Sequence, residues 1–216
     1  LSWIDAHVDG KPYGLDIIVP NKVEGKGEQL DPEAVLASIP EDMKRFTNEI
    51  MQRHGVDAGR IADDIEAVRR EQVAFTDNLR GGTAAAILEV AFRHPIKLIA
   101  NALGIPPQVM LELGQRHNVP VAALVGTRDH AMSQVAAGVD IIIAVGGEAG
   151  GHTGDISTMV LIPEVCNALA QIGDDTPVLA AGGIATGAQM AAAMAMGASG
   201  VWCGSVWLTT VEAETN

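Results

Sequence analysis

The chain has 216 residues, of which 48% are hydrophobic and 19% are charged, and its formal net charge is −13. This length allows one sizeable core, and the acidic balance argues against a nucleic-acid partner, because such proteins need clustered Lys and Arg. No apolar run approaches the roughly 20 residues of a membrane span, and Cys166 and Cys203 suggest neither a disulfide framework nor a metal site. We therefore expect a soluble, cytoplasmic protein with one domain over residues 1–216 that is incomplete at both ends.

Six apolar segments rich in β-branched residues alternate with segments of helical composition. The predicted strands are 14–20, 96–103, 119–125, 139–145, 178–181 and 200–208, and the helices between the later strands are 107–117, 129–138, 162–172 and 187–197. This alternation is typical of β/α units, and strands that are apolar throughout indicate a parallel sheet covered on both faces. The pattern predicts either a β/α barrel or a doubly wound sheet.

Residues 31–93 interrupt this alternation. Asp31 and Pro32 resemble the start of a helix, and residues 57–70 form a charged stretch of helical composition. The region has few large apolar residues from which to build a core of its own. We expect a helical insertion that acts as a lid or cap rather than a second domain.

The glycine-rich sequence GGEAGGHTG at 146–154 directly follows the predicted strand 139–145. Glycines allow the backbone to approach a ligand closely, and His152 is the side chain in this loop that exchanges protons near neutral pH. We interpret His152 as a catalytic acid or base, with a structural histidine as the alternative.

Glu148 either orients His152, accepts from backbone amides of the turn or is solvated. The residues expected to cap the next helix are Asp155, Ser157 and Thr158. The histidines expected to be structural are His7, His54, His94, His117 and His130.

Two further glycine turns follow the last two predicted strands, with Gly182 and Gly183 in the first and Gly204 and Ser205 in the second. In β/α barrels the loops after the last two strands commonly bind phosphate, since their free N–H groups and a helix N-terminus favour an anion. The turns therefore predict a phosphate site, although glycines that only permit tight turns would give the same pattern.

The three motifs GGEAGGHTG, AAGGIATG and GVWCGSVWL together resemble the nitronate monooxygenase family, also called 2-nitropropane dioxygenases. The resemblance covers residues 9–23 and 92–213 and implies an FMN-dependent TIM (β/α)8 barrel, of which the first two strands are missing from this chain. The opening sequence LSWIDAHVDGKPYGLDIIVP looks closest to an actinobacterial branch that includes flavin reductases of CoA thioesters.

The resemblance also implies roles for individual residues. It implies that His152 is the catalytic base and that the flavin is bound by residues of the loops. The residues that it assigns to FMN are Asp16, Gly150, Gly151, Gly182, Gly183, Trp202, Cys203, Gly204 and Ser205. The chain departs from the family at Val145, where relatives often carry Gln, and at Leu124 and Val125, where some relatives carry a Lys directed at the cofactor.

The activity implied by the resemblance is that of an oxidoreductase which oxidises alkyl nitronates or nitroalkanes with O2. One alternative is an NAD(P)H-dependent flavin reductase that acts on an enoyl or ring-derived CoA thioester. Another class of alternative is a flavin- or phosphate-binding protein without turnover. In each case the expected partner is a small molecule, and the oligomeric state and electron donor stay open.

Overall fold

The computed structural model describes residues 1–19, 38–56 and 81–213. The chain divides into two compact units, one formed by Leu1–Asn21 with Ala85–Asn216 and the other by Lys22–Ala84. The predicted helix start at Asp31 and the predicted helical stretch 57–70 lie outside the described residues.

The first unit holds the sheet and most of the described helices. The helices of the described chain are α1 (Ser2–His7), α2 (Glu41–Arg53), α3 (Gly81–Ala91), α4 (Gln108–His117), α5 (Arg128–Ala136), α6 (Thr158–Gln171) and α7 (Gly187–Ala195). The strands are β1 (Leu15–Ile17), β2 (Ile99–Asn101), β3 (Val121–Val125), β4 (Ile141–Val145), β5 (Val178–Ala181) and β6 (Gly200–Trp202). A short 3₁₀ helix, Ser205–Thr209, follows β6.

The strands form one parallel sheet whose order is the order of the chain, β1-β2-β3-β4-β5-β6. Each of the six lies within a segment that the sequence predicts as a strand. A doubly wound sheet would reverse its strand order at a switch point, and this sheet does not. The described part of the chain is therefore a parallel half-barrel of successive β/α units.

Both faces of the sheet are covered by apolar side chains, as the uniformly apolar strands predict. The outer face of β4 and β5 packs against Leu161, Ile162 and Val165 of α6, all of which are fully buried. Burial of each such side chain contributes about 1.5–3 kcal/mol. The inner face carries Ala100 and Ala122 beside the larger Ile143 and Trp202.

Most strands are shorter than predicted, and two boundaries differ by four residues or more. β6 ends at Trp202, and the apolar residues after it form the 3₁₀ helix instead of extending the strand. The Trp207 indole donates a 3.0 Å hydrogen bond to the Cys203 carbonyl, which holds the chain in this tight turn. Helix α6 begins at Thr158 rather than at 162, so that Pro163 lies inside the helix.

Helix α1 packs beside the amino-terminal end of the sheet through one acidic side chain. Asp5 accepts hydrogen bonds from the Tyr13 hydroxyl and pairs with Nδ1 of His94, which connects α1 to the segments that precede β1 and β2. The hydrogen bond from Tyr13 is the larger cause and the contact with His94 the next of a lowered pKa of Asp5. The hydrogen bond between Tyr13 and Asp5 also raises the pKa of Tyr13 to about 12.

The described part of the second unit is helix α2 with its flanking residues and the first turn of α3. Met43, Phe46 and Ile50 recur at helical spacing, which gives α2 one apolar face. Lys44 pairs with Glu41 at 2.7 Å on its exposed surface.

Candidate active site

The carboxyl ends of the six parallel strands face the same way, so the loops that follow them form a common rim. The loop 146–154 lies on this rim directly after β4, and the turns at Gly182 and at Gly204 follow β5 and β6. Because β5 and β6 pair with Ala181 opposite Trp202, the two predicted phosphate turns leave the sheet side by side.

Backbone contacts between glycines hold the rim together. A Cβ on Gly126 would lie 3.2 Å from the amide nitrogen of Gly154, and a Cβ on Gly154 would lie 2.9 Å from the carbonyl oxygen of Gly126. A Cβ on Gly182, whose φ is +113°, would lie 2.5 Å from Oγ1 of Thr158. At Gly154 and Gly182 glycine is required for space, and at Gly182 also for the backbone conformation, whereas a Cβ on Gly126 would need a small shift of its neighbour.

Glu148 closes the loop that carries His152. Its Oε2 accepts hydrogen bonds from the backbone N–H of Thr158 at 2.8 Å and from the Thr158 hydroxyl at 2.7 Å. These two bonds, from the hydroxyl first, hold the pKa of Glu148 below its usual range. Glu148 thus caps α6, whereas Ser157 stands at the N-cap position without a side-chain cap bond. The sequence predicts that Glu148 orients His152, accepts from backbone amides of its own turn or is solvated. The structure shows it accepting from a backbone amide, but that amide belongs to Thr158 at the start of α6.

A cavity of about 500 Å³ opens at the carboxyl ends of β2, β3 and β4. Its walls are the loop after β2, the loop after β3, one side of α5 and the end of the His152 loop. The lining residues are Ala102, Leu103, Gly104, Ile105, Leu124, Val125, Gly126, Thr127, His130, Ser133, Gln134, Val145, His152, Thr153 and Gly154. Among the described residues that line it there is no carboxylate, and the titratable side chains are those of His130 and His152.

His152 is an exposed lining residue of this cavity, and the described residues offer its ring no hydrogen bond. The ring is therefore available to a molecule in the cavity. No hydrogen bond joins Glu148 to His152 within the described chain, so the structure does not support direct orientation of the imidazole by that carboxylate.

His130, which the sequence places among the structural histidines, lines the same cavity as His152. It lies in the first turn of α5, and its backbone N–H donates to Oγ1 of the N-cap residue Thr127 at 3.1 Å. The sequence contained the information for this placement. His130 lies in the first turn of the helix after β3, and such a turn lies at the carboxyl end of the strand, where the cavity opens.

Two buried amides fix the wall formed by the loop after β2. Asn101 Nδ2 and Gln134 Nε2 each donate a 3.0 Å hydrogen bond to the carbonyl of Gly104. Asn101 Oδ1 accepts from the backbone N–H of Val19 at 2.9 Å. Oε1 of Gln134 is buried and has no hydrogen-bond donor among the described residues. Neither amide is a predicted site residue, because their roles depend on contacts across the sheet.

The turns after β5 and β6 contain backbone donors that are not used within the described chain. The N–H groups of Gly183, Ile184 and Gly204 make no hydrogen bond there, and the position of a Cβ on Gly204 is open space. By contrast, the N–H groups of Ala185 and Thr186 both donate to Gln189 Oε1, at 2.9 and 3.0 Å. The donors available to an anion are therefore those nearest the strand ends.

The other predicted residues are divided between two regions. A Cβ on Gly150 would lie 3.6 Å from Oγ of Ser205, so the His152 loop adjoins the turn after β6. Trp202 is half-buried on the inner face of the sheet. Cys203, which follows it, is half-buried too. Asp16 lies on β1, at the other edge of the sheet. Partial burial raises the pKa of its carboxyl.

Within residues 1–19, 38–56 and 81–213, no group of three or more His, Cys, Asp or Glu side chains is placed to hold a metal ion. No helix in these ranges combines the length and apolar character needed to cross a membrane.

The comparisons with known proteins agree with the resemblance in the sequence. The family model for nitronate monooxygenases matches residues 4–216. The chain is 48% identical over its full length to the Mycobacterium tuberculosis protein Rv1533, whose name assigns it provisionally to the monooxygenases, and it covers 55% of that relative. It is 36% identical, over 68% of the chain and 43% of the relative, to a (3aS,4S,5R,7aS)-5-hydroxy-7a-methyl-1-oxo-octahydro-1H-indene-4-carboxyl-CoA dehydrogenase of the same organism.

Among solved structures, the nitroalkane oxidase of Streptomyces ansochromogenes matches with a TM-score of 0.62 and 25% identity, over 92% of this chain and 51% of that one. FabK of Thermotoga maritima matches with a TM-score of 0.60 and 24% identity, over 97% of this chain and 46% of that one, and supports the fold alone. The chain therefore spans about half the length of the relatives and structures that it matches.

Proposed function

Because the chain belongs to the nitronate monooxygenase family, we propose that it is part of an FMN-dependent oxidoreductase that oxidises alkyl nitronates or nitroalkanes with O2. The observation that carries the proposal is the arrangement of the rim, where His152 lines a cavity and its loop adjoins the turn at Ser205. A proton-exchanging side chain and a set of free amide donors are thus held at the same end of the sheet.

The residues of the two late turns fit the phosphate of FMN. Gly183, Ile184 and Gly204 present free N–H groups, and the open space at Gly204 lets an anion approach the backbone. Neutral amides of this kind bind phosphate oxygens without a cationic side chain. The cofactor residues of this proposal are Asp16, Gly150, Gly151, Gly182, Gly183, Trp202, Cys203, Gly204 and Ser205.

FMN, when bound, would accept the electrons that leave the substrate. His152 would take the α-proton of a nitroalkane at a ring nitrogen, or would donate a hydrogen bond to a nitronate that is already anionic. The apolar side chains of Leu103, Ile105 and Leu124 would hold the alkyl part and exclude water. The described lining residues include no carboxylate, which suits an anionic substrate.

A second candidate is NAD(P)H-dependent reduction of an enoyl or ring-derived CoA thioester. The observation that favours it is the 36% identity, over 68% of this chain, to the relative named as an indene-carboxyl-CoA dehydrogenase. A cavity of about 500 Å³ lies within the range of sites for small-molecule ligands. Both candidates use the same residues of the rim.

For the whole protein we propose a closed (β/α)8 barrel in one domain. The sheet of the described residues has six strands, and the relatives extend well beyond the matched region. Two further strands preceding β1 would complete the barrel. The region 31–93 would then be a helical insertion that acts as a lid.

The test is flavin bleaching without oxygen in the full-length protein, with an alkyl nitronate in one sample and NAD(P)H in another. Bleaching by the nitronate supports the first candidate, and bleaching by NAD(P)H alone supports the second. His152→Asn is expected to retain FMN and to lower the rate of substrate-dependent bleaching by about 10²–10⁴-fold. The matched control is His117→Asn at the exposed end of α4. Unchanged bleaching in His152→Asn would remove this residue from the mechanism.

A further inference from the structure

Glu148 lies between two parts of the rim that have different tasks in the proposed function. Its hydrogen bonds to Thr158 join residues ten positions apart and close the loop in which His152 stands. On its other side, a Cβ on Gly183 would lie 3.1 Å from Cβ of Glu148, so the same residue packs against the predicted phosphate turn. It therefore contacts both the base of the His152 loop and the turn after β5.

Thr158 extends this contact to Gly182. Its hydroxyl oxygen lies 2.7 Å from Oε2 of Glu148 and 3.0 Å from the carbonyl oxygen of Gly182. A hydroxyl has one proton, and the shorter contact to a charged carboxylate is the stronger hydrogen bond. The hydroxyl proton is therefore shared between two acceptors, with the stronger hydrogen bond to Glu148 and the weaker one to the Gly182 carbonyl.

We propose that Glu148 is a positioning residue that sets the His152 loop and the Gly182–Gly183 turn in register with each other, with Thr158 as the element between them. The inference rests on the proposed function, because it assigns FMN phosphate to the turn and substrate to His152. Removal of the carboxylate breaks this bridge between the loop and the turn at Thr158. It also releases the base of the His152 loop, so both parts of the rim are displaced by one change.

The negative charge of Glu148 is compatible with a phosphate nearby because it is directed at the start of α6. The backbone N–H of Thr158 is one of the unpaired donors at the amino end of that helix, where the dipole favours a carboxylate. The side chain of Ser157, the N-cap residue, makes no cap hydrogen bond, so Glu148 supplies the acceptor at this end of the helix. The charge is thus stabilised locally by the start of α6.

The experiment measures two quantities in the full-length protein, the Kd of FMN from the quenching of its fluorescence and the rate of substrate-dependent flavin bleaching at saturating FMN. Glu148→Ala is expected to raise the Kd about tenfold and to lower the bleaching rate about 100-fold, because displacement of a reacting group by about 1 Å costs a factor of that order. Glu148→Gln, which keeps an acceptor oxygen, is expected to recover part of both losses.

Thr158→Val provides a second route to the same result if Glu148→Ala fails to fold. It removes the hydroxyl, keeps the backbone N–H and nearly preserves the shape of the side chain. In the pair Glu148→Ala and Thr158→Val, the two changes are expected to be non-additive in both quantities, since they break the same contact. The matched control is Glu164→Ala, an exposed acid on α6 itself.

A role confined to capping α6 would lower the Tm of these variants and leave the Kd of FMN and the bleaching rate of the folded enzyme within twofold of wild type. That result would overturn the inference and leave the proposed function intact. Wild-type protein that does not bind FMN would overturn the proposed function, and the inference with it.

Discussion

Gly182 and Gly204 have similar positions in the sequence, since each lies in a turn after a strand of the half-barrel. Their surroundings in the structure are different. Gly182 has a φ of +113° and no room for a Cβ, whereas Gly204 has a negative φ of −120° and open space at the position of a Cβ. The first glycine is required by the fold, and the second is free to serve a ligand.

Alanine substitutions are expected to separate these two roles. Gly182→Ala combines a positive φ with a steric clash and should reduce the free energy of unfolding by about 1–3 kcal/mol or more. Gly204→Ala should change it by less than about 0.5 kcal/mol. If the FMN phosphate binds at this turn, Gly204→Ala should nevertheless weaken FMN binding. Chemical unfolding and FMN titration of both variants make the comparison, and normal FMN binding by Gly204→Ala would place the phosphate elsewhere.

Tyr13 allows a direct test of the contact that anchors α1. Its hydrogen bond to Asp5 favours the protonated phenol and raises the pKa of Tyr13 from 10.0 to about 12. The raised value means that this stabilisation is fully present below pH 10 and is lost as the pH rises through about 12. The tyrosinate absorbance of wild type minus that of Tyr13→Phe should titrate near the higher value. Asp5→Asn should move it down, and an unshifted midpoint in wild type would disprove the contact.

The start of helix α6 shows how a cap can be absent from the local sequence. Asp155, Ser157 and Thr158 are the local residues expected to cap it, yet the side-chain acceptor is the carboxylate of Glu148, ten positions before Thr158. The lowered pKa of Glu148 means that its contribution to stability is present above its ordinary pKa of 4.5. It is lost as the pH falls through the folded-state value.

Cap substitutions should therefore have unequal effects on stability. Ser157→Ala should cost less than about 0.5 kcal/mol, because the Ser157 side chain makes no cap bond. Thr127→Ala, which removes the acceptor of the His130 N–H at the start of α5, should cost about 1 kcal/mol. Chemical unfolding curves measure both values, and equal costs would contradict this assignment of the caps.

The elements that could be predicted are those that depend on residues close together in the sequence. Apolar runs located the strands, and the glycine turns at strand ends indicated which loops share the rim. The parts that could not be predicted depend on contacts between segments far apart in the chain. The early start of α6 depends on Glu148, and the cavity wall depends on Asn101 and Gln134. Short-range composition does not encode such contacts.

At the scale of the whole molecule, the described sheet ends at β1 on one side and at β6 on the other, and each pairs with one neighbour. An edge strand exposes backbone donors and acceptors that can pair with another chain. In the closed barrel that we propose for the whole protein, further strands would occupy both edges.

A chain limited to residues 1–216 is therefore expected to self-associate more than the full-length protein does. Size-exclusion chromatography with light scattering at matched concentrations compares the two. Charged substitutions in β1, such as Ile17→Lys, should reduce the association of the short chain, because a lysine on an edge strand opposes pairing. A monomeric short chain would show that its edges are protected within the chain itself.

The rim described above also has a consequence for how this enzyme could acquire new substrates. Its loops are joined by glycine backbones at Gly126, Gly154 and Gly182, where added atoms collide. The cavity wall instead presents the side chains of Ile105 and Ser133, which project from a loop and a helix. Substitutions at these two positions would change the shape of the cavity without adding atoms at the close-packed glycines of the rim, so in this chain substrate preference can change separately from the loops that carry the chemistry.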